Sequence, residues 1–576
     1  MGYWMDVISC NSWNLSSTRL NFPAPLAIDG VCLQKTQADR SGIPFENRRF
    51  TTFTCRAKTD VSQAEFANSV KSWVYNRLMH VDKLINPVPT LRAQRLISAS
   101  LGRNASVSAT NPIVEAVTVE DIRVKVPAIP KLSHKWRDIQ GANDWKNLLD
   151  PLDSDLKAEI IKYGEFAQLC YDAFDYDSHS KFCGSCRFNP KKLLKMYGLR
   201  YEDYEITKYL YATSDISLPT FFLRSDFDDR WSTSANWIGF VAVSSSEREI
   251  ERLGRRDIVV AWRGTVTKLD WLADLQNSLC PYGLDRRSVG RSVNGDVRVE
   301  TGFLSLYTTK KATDLYNQQS AREQLQSEIQ RLRQLYMGEE LSISLTGHSL
   351  GAALALISGY DLAESGLNMR LGNAPRPTFS PSPSMSLGNI FKHDEQAVQN
   401  VDEVDKIPIT VFSFAGPRVG NSAFRDRVNN LGVKVLRIVN VNDLVPKVPG
   451  VLLNEKFQFL HDWIERLPWT YSHTGVEFAV DNLKSPYLQP SLDPSDLHNL
   501  EAYLHLLDGQ YTAFGEKFSI SFSRDPALIN KNSDFLKKDL KIPGFWRQDK
   551  DKGLVKHPDG RLKFRGREPE DIPPYH

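Results

Sequence analysis

Residues 341–356 read LSISLTGHSLGAALAL, and the fold of the chain can be worked out from this stretch. Its first five residues alternate apolar and hydroxyl side chains, which is typical of a strand, and residues 352–356 are strong helix formers. Residues 347–351, between them, match the pattern G-x-S-x-G. A strand, a tight turn and a helix in this order predict a nucleophile elbow, which holds the hydroxyl of Ser349 exposed on a strained backbone.

The residues around Ser349 have separate parts in this elbow. We expect glycine at Gly347 and Gly351 because a Cβ at either position would crowd the neighbouring strand and helix. The start of the helix also presents N–H groups to the negative charge that develops during acyl transfer. His348 is expected to point elsewhere, which makes it a poor candidate for a general base. The alternative interpretation is a glycine-rich turn with a spectator serine.

Residues 341–360 contain no Asp, Glu, Lys or Arg and could be mistaken for a membrane span. Charged Glu340 and Asp361 bound the stretch, and His348 and several Gly and Ser residues interrupt it. The pattern therefore predicts a buried strand followed by a buried helix. Any membrane contact is predicted to be peripheral.

Apolar runs and helical patterns alternate along residues 136–525, which we interpret as one large domain. The strand-like runs are Trp237–Val243, Ile258–Trp262, Leu341–Leu345, Val411–Phe414 and Val435–Val439. Helical spacing is seen in two sets of residues: Leu156, Ile160, Tyr163, Ala167, Cys170 and Phe174, and Leu325, Ile329, Leu332 and Tyr336. Strands that alternate with helices predict the α/β class, with a mostly parallel, doubly wound sheet.

Composition excludes several classes of protein. The chain has 576 residues, of which 41% are hydrophobic and 24% charged, so it can bury a sizeable core. The 72 Lys and Arg residues nearly balance the 69 Asp and Glu residues, which argues against a nucleic-acid partner. Seven Cys residues are too few for a disulfide framework.

The N-terminal part of the chain differs in amino-acid composition from this domain. Residues 1–60 are rich in hydroxyl side chains and lack an apolar signal-peptide core, which predicts a chloroplast transit peptide; an ordinary disordered N-terminus is the alternative. Residues 61–135 are predicted to hold an amphipathic helix over 66–85 followed by a linker. That helix would dock onto protein or, alternatively, lie on a membrane surface.

Two further segments break the alternation of strands and helices. Residues 366–408 are rich in Pro, Ser and Asn and then carry mixed charges, which predicts a long insertion loop. Residues 526–576 are polar, with Phe545 and Trp546 as isolated apolar anchors, and we interpret them as a C-terminal extension.

A serine hydroxyl needs a general base, and the base needs an orienting acid. In folds with this elbow the chain order is Ser, acid, His. Asp443 directly follows the strand-like run 434–440, and the carboxyl ends of strands are where α/β sites are built, so Asp443 is the candidate acid. Four histidines follow it, and residue spacing does not choose between His473 and His498: His461, His473, His498 and His505.

The order of several motifs resembles the class 3 (fungal-type) lipase family, and more closely its plant class I phospholipase A1 group of plastid acyl hydrolases. The resembling blocks cover roughly residues 136–515 and exclude the insertion: AWRGT (261–265), DWLADL (270–275), VETGFL (299–304), the elbow, FSFAGPRVGN (412–421), NDLVP (442–446), YSHTG (471–475) and HNLEAYLH (498–505).

The resemblance implies an α/β-hydrolase fold and a set of site residues. Ser349 would be the nucleophile, Asp443 the acid and His498 the base, since the family's base lies in an H-x-x-x-x-Y block. The N–H groups of Thr265 and Leu350 would form the oxyanion hole. Residues 266–290 would form or border a lid, and neither a cofactor nor a metal is expected.

The function that this resemblance implies is release of fatty acid from the sn-1 position of glycerolipids such as phosphatidylcholine and galactolipids, in the chloroplast stroma or at the thylakoid. A triacylglycerol or small-ester lipase is the first alternative, and a lipase-like scaffold without activity is the second. Cys183 and Cys186 form a lone C-x-x-C, which we interpret as reduced spectator thiols, with a redox disulfide as the alternative.

Overall fold

The structure is a computed structural model. It describes residues 33–35, 53–55, 131–197, 203–214, 223, 225–226, 230–265, 279–283, 296–371, 406–449, 470–510, 518–520, 524–547, 554–556, 558–564 and 566–573. The chain divides into two units, residues 1–122 and 123–576. In the first unit, β1 (Leu33–Lys35) pairs antiparallel with β2 (Phe53–Cys55). The predicted helix over 66–85 lies outside the described residues.

The second unit alternates strands and helices. Its strands are β3 (Tyr204–Ala212), β4 (Asn236–Ser244), β5 (Arg256–Trp262), β6 (Leu279–Pro281), β7 (Arg298–Glu300), β8 (Leu341–His348), β9 (Ile409–Phe414), β10 (Lys434–Asn440), β11 (Val476–Val480), β12 (Gly509–Gln510), β13 (Ser519–Ile520), β14 (Leu554–Lys556) and β15 (Leu562–Phe564). Its helices are α1 (Trp136–Ile139), α2 (Ser154–Asp172), α3 (Pro190–Met196), α4 (Glu247–Leu253), α5 (Thr301–Thr308), α6 (Ala321–Leu335), α7 (Leu350–Glu364), α8 (Ser422–Asn430), α9 (Pro494–Leu497) and α10 (Leu500–Asp508).

A seven-stranded sheet with the order β11-β10-β9-β8-β5-β4-β3 forms the centre of this unit. In this sheet, the neighbouring pairs among β5, β8, β9, β10 and β11 are parallel, whereas β4 is antiparallel to both β5 and β3. The predicted α/β class and the mostly parallel sheet are therefore confirmed. All five predicted strand-like runs lie within strands of this sheet, whereas its two edge strands, β3 and β11, were not predicted.

Both faces of the sheet are covered, as the continuous apolar runs of its central strands require. Along β5, Val259 and Ala261 pack into the core on the side of α2 and α10, while Ile258 and Val260 pack into the core on the side of α5, α6 and α7. Asp153 begins α2 by accepting hydrogen bonds from the N–H groups of Asp155 and Leu156, and the predicted apolar stripe of this helix is buried.

The predicted insertion leaves and rejoins the core at nearly one point. Helix α7 ends at Glu364, and Met369 forms an isolated bridge with Lys406. The N–H of Ile407 donates to the carbonyl of Asn368 at 2.6 Å. The two ends of the segment are therefore held together, so β9 can follow β8 in the sheet however long the segment between them is.

Candidate active site

Ser349 lies on the tight turn between β8 and α7. Its backbone has φ 60° and ψ −127°, a conformation that a residue with a side chain rarely adopts. The N–H of Ser349 donates to the carbonyl of Phe414 on the neighbouring strand β9 at 2.9 Å. This bond to the sheet holds the turn in its strained form and places the serine at the N-terminus of α7.

The two glycines of the elbow allow the helix and the strands to approach closely. A Cβ on Gly351 would lie 2.4 Å from the carbonyl oxygen of Trp262, at the end of β5. A Cβ on Gly347 would lie 2.3 Å from the carbonyl carbon of Gly351. Both positions therefore exclude any larger residue, which confirms the crowding predicted from the sequence.

Asp443 and His498 are brought together from different parts of the chain. Asp443 follows β10, and its Oδ1 accepts from the N–H of Val445 at 2.9 Å. His498 lies between α9 and α10, with its Nδ1 2.6 Å from Asp443 Oδ2. Both side chains are buried, and His498 Nε2 has no hydrogen-bond partner among the described residues. One ring nitrogen of the histidine thus faces the carboxylate, while the other is available to a further group.

Tyr503, which was not among the predicted site residues, is a third member of this contact. Its hydroxyl donates to Asp443 Oδ2 at 2.7 Å and accepts from the N–H of Asn440 at 2.9 Å. Burial and the neighbouring Asp443 hold the pKa of Tyr503 well above its usual value, so the hydroxyl stays a donor. The Y of the H-x-x-x-x-Y block was the sequence signal for this residue.

His348 was expected to point away from the site. Instead, it lines the same cavity as Ser349. Its ring centroid lies 4.4 Å from that of His498, and its Nδ1 lies 2.8 Å from the Tyr171 hydroxyl. Burial and the neighbouring His498 hold the pKa of His348 well below its usual value. His348 is therefore neutral at neutral pH and adds no charge beside His498.

Thr265 follows β5 and lies beside the elbow. A Cβ on Gly264 would lie 2.0 Å from the Tyr171 hydroxyl and 2.5 Å from the carbonyl oxygen of His348, so glycine lets this segment reach the turn. Arg263 donates to the Gly264 carbonyl at 2.9 Å and fixes the segment's course. The Oγ1 of Thr265 is buried without a partner in the described part of the chain. Of the predicted lid, 266–278 and 284–290 lie outside the described residues.

The other candidate histidines lie elsewhere. His505 is buried on α10, where its Nε2 lies 2.9 Å from the Ser485 hydroxyl. His473 does not line the cavity, and burial together with Arg437 and Arg418 holds its pKa well below the usual value. His461 lies outside the described residues. The choice that sequence spacing left open therefore remains a prediction, and the contact of His498 with Asp443 favours His498 as the candidate base.

A single cavity of about 370 Å³ joins these groups, and Thr265, His348, Ser349 and His498 all line it. The C-terminal segment, residues 526–576, was predicted only as an extension, but it forms another part of the cavity wall. Its lining residues are Leu528, Ile529, Lys531, Asn532, Ser533, Phe545 and Arg547. The segment is held to α2 by two ion pairs, in which Lys531 Nζ and Arg547 Nη1 lie 2.8 and 2.9 Å from the Asp172 carboxylate.

Other sequence features lie outside this cavity. Cys183 and Cys186 are buried free thiols, and burial raises their pKa to about 12 and about 11. They are therefore protonated at neutral pH and poor nucleophiles. Within the described ranges, no group of three or more His, Cys, Asp or Glu side chains is arranged to hold a metal ion.

None of the helices in the described part of the chain combines the length and the apolar character needed to cross a bilayer.

Comparison with known proteins identifies the family. The model of the family Lipase (class 3) matches residues 259–453, which include the elbow and Asp443. Phospholipase A1-Igamma2, chloroplastic, of Arabidopsis thaliana is 47% identical over 469 residues, which are 79% of this chain and 82% of that protein. The chain belongs to the class 3 lipase family.

Two further matches of this class 3 lipase extend the comparison. Galactolipase DONGLE, chloroplastic, of Arabidopsis thaliana is 43% identical over 389 residues, covering 67% of this chain and 72% of that protein. Among solved structures, the LIP2 lipase of Yarrowia lipolytica matches 60% of this chain and 84% of its own, with 18% identity and a TM-score of 0.33.

Proposed function

We propose that this class 3 lipase is a serine acyl hydrolase that releases fatty acid from the sn-1 position of phospholipids or galactolipids. The main support for the proposal is a single cavity lined by Ser349, Thr265 and His498. His498 is hydrogen-bonded through its Nδ1 to Asp443. The names of the relatives, phospholipase A1 and galactolipase, support the substrate class.

In the proposed reaction, Ser349 attacks the ester carbonyl while His498 Nε2 takes its proton. Asp443 keeps the other ring nitrogen oriented and stabilises the imidazolium that forms. The N–H groups of Thr265 and Leu350 hold the tetrahedral oxyanion, since the first N–H of α7 has no partner within its own helix. His498 then protonates the leaving glycerol oxygen, and water hydrolyses the acyl-enzyme by the same steps in reverse order.

We also place the protein in the chloroplast, because relatives that align over most of this chain are named chloroplastic. The substrate resides in a bilayer, so the cavity has to meet a membrane surface. We propose that the protein contacts the membrane only peripherally, either from the stroma or at the thylakoid.

Incubation of the protein with mixed chloroplast lipids tests the proposal. Wild type is expected to release fatty acid and leave 2-acyl lysolipids, and Ser349→Ala is expected to lose several orders of magnitude in rate, as other triads do. Predominant release from triacylglycerol or short esters would favour the first alternative.

A fluorophosphonate probe separates the enzyme from a scaffold. Wild type is expected to be labelled at Ser349, and Ser349→Ala should remain unlabelled. A folded wild type that takes no label and releases no fatty acid would contradict the proposed activity.

A further inference from the structure

The cavity beside Ser349 has a polar side built from two separate segments. Asp493, Ser495 and Asp496, at the start and within α9, line it from one direction, and Asn532 and Ser533 of the C-terminal segment line it from the other. Four of these five side chains offer oxygen acceptors or hydroxyls without a positive charge, and the fifth is an amide. This lining is suited to hydrogen bonding with hydroxyl groups.

The cations of this wall are already paired with carboxylates. Lys531 Nζ lies 2.8 Å from Asp172 Oδ2 and 2.8 Å from Glu501 Oε1. Arg547 Nη1 lies 2.9 Å from Asp172 Oδ1, and its Nη2 donates to the Asp172 carbonyl at 2.7 Å. Both cations are thus engaged by carboxylates in the wall itself, so their positive charge is already largely balanced before a head group binds.

Two carboxylates, those of Asp493 and Asp496, line the α9 side of the cavity. Asp496 is half-buried, and its Oδ2 accepts from the Ser491 hydroxyl at 2.7 Å. Burial raises the pKa of Asp496, and the neighbouring carboxylates of Asp493 and Asp534 raise it further. An anion in this part of the cavity would meet at least two carboxylates, whereas a neutral hydroxyl group can donate a hydrogen bond to them.

The direction in which the leaving group departs connects this wall to the reaction. In the proposed function, His498 protonates the leaving glycerol oxygen, so the leaving glycerol lies on the His498 side of the scissile ester. Asp496 is two residues before His498, and His498 Nε2 is buried in the cavity wall without a partner among the described residues. The head group stays attached to the leaving glycerol, so it is carried towards α9 and the C-terminal segment.

We propose that α9 and the C-terminal segment form a head-group subsite that selects an uncharged, hydroxyl-rich glycosyl head group over an anionic phosphate. This inference rests on the proposed function and refines its substrate class. In this subsite, Asp493 and Asp496 determine the specificity for the head group. They bind it through their carboxylate oxygens and donate no proton in the reaction.

The test compares monogalactosyldiacylglycerol with phosphatidylglycerol of the same acyl chains, each at the same low fraction in micelles of a neutral detergent. Wild type is expected to have the higher kcat/KM with the galactolipid. Asp496→Asn keeps the shape of the side chain and removes its charge, so the ratio of the two kcat/KM values should fall about fivefold, mainly through faster cleavage of phosphatidylglycerol. Asp426→Asn, at a partly exposed residue of α8 that does not line the cavity, serves as the matched control and should leave the ratio unchanged.

Asp493→Asn provides a second variant, because asparagine can also accept the Ser495 N–H that begins α9, and its ratio should fall in the same direction. Higher salt should in addition narrow the gap between the two lipids for wild type, since salt screens the repulsion. Equal cleavage of the two lipids by wild type, or an unchanged ratio in a folded Asp493→Asn or Asp496→Asn protein, would overturn the subsite. Absence of any fatty-acid release by wild type would instead overturn the proposed function.

Discussion

The Tyr503 hydroxyl donates a 2.7 Å hydrogen bond to Oδ2 of Asp443, the same oxygen that lies 2.6 Å from His498 Nδ1. The carboxylate is therefore held from two sides, because its Oδ1 also accepts from the N–H of Val445. Tyr503 in turn accepts from the N–H of Asn440 at the end of β10. Asp443 and His498 are thus linked to the sheet through a tyrosine of α10 that does not itself line the cavity.

Replacing Tyr503 with Phe should slow the reaction without preventing folding. The ring remains to fill the core, while Asp443 loses one donor and can rotate relative to His498. We expect kcat to fall about tenfold, the loss that corresponds to one hydrogen bond of about 1.4 kcal/mol to a charged group, with little change in KM. The measurement is steady-state hydrolysis of a short-chain phospholipid.

Tyr487→Phe is the control for this change, since the Tyr487 ring packs against His505. Its kcat should match that of wild type. A Tyr503→Phe enzyme with wild-type kcat, or one that changes only KM, would show that Tyr503 does not position the acid.

Gly351→Ala should reduce activity more than any other substitution that adds a single methyl group to α7. The new Cβ would lie 2.4 Å from the carbonyl oxygen of Trp262, so α7 or β5 has to move. Ser349 and Thr265 are attached to these two elements, and we expect a loss of about 100-fold in kcat/KM together with destabilisation of about 1–3 kcal/mol.

Gly566→Ala serves as its control, because a Cβ there would have open space and no positive φ to strain. Thermal melting and hydrolysis of the same ester should be measured on both variants. Full activity of Gly351→Ala would mean that the elbow and the Thr265 segment adjust independently.

The elbow and most of the sheet were predictable because their signals are local. Residues 341–356 carry the alternation, the paired glycines and the helix formers within one window, and each central strand is a continuous apolar run. The edge strands β3 and β11 were missed because only one part of each is buried and their side chains are mixed. Local patterns suffice where an element is buried on both faces.

The cavity wall formed by the C-terminal segment could not be predicted, because it depends on contacts between distant residues. Arg547 and Asp172 are 375 positions apart, and nothing in the sequence around Arg547 indicates its partner. Tyr503 was within a recognised block, but its role depends on the distance to Asp443, which spacing does not provide. His498 could be favoured over His473 as the candidate base only once the contact between His498 and Asp443 was seen.

Glu300 should make stability depend on pH. It is fully buried, and burial raises the pKa of Glu300 to about 7, although the N–H groups of Gly302 and Phe303 partly offset that rise. Because this value lies above that of an unfolded glutamic acid, about 4.3, the folded state binds more protons between these pH values. The contribution of Glu300 to the free energy of unfolding is therefore fully present below about pH 4.3, and it is lost as the pH rises through about 7.

Glu300→Gln removes this titration and can still accept the Phe303 N–H, which Glu300 accepts at 2.7 Å. Between pH 5.5 and 8.5, the free energy of unfolding of wild type should fall about 2 kcal/mol more than that of Glu300→Gln. Urea unfolding at both pH values measures the difference. The exposed Glu247→Gln should follow wild type; parallel pH curves for wild type and Glu300→Gln would contradict the assignment.

Asp172→Asn tests whether the C-terminal segment depends on its ion pairs for its place in the cavity wall. Asp172 pairs with Lys531 and Arg547, and all three side chains are largely buried. Removing this charge takes away a carboxylate that pairs with both Lys531 and Arg547, while the pair of Lys531 with Glu501 remains, so we expect destabilisation of about 3 kcal/mol.

The same change should raise KM for a glycerolipid several-fold, because the segment would lose its fixed position beside Ser349, while a short p-nitrophenyl ester should be affected less. Asp426→Asn is again the matched control, since its carboxylate lies near the surface and pairs with Arg425. If Asp172→Asn loses stability but keeps the wild-type KM for both esters, the segment is only a structural support. Selective loss of glycerolipid binding would instead establish it as part of the substrate site.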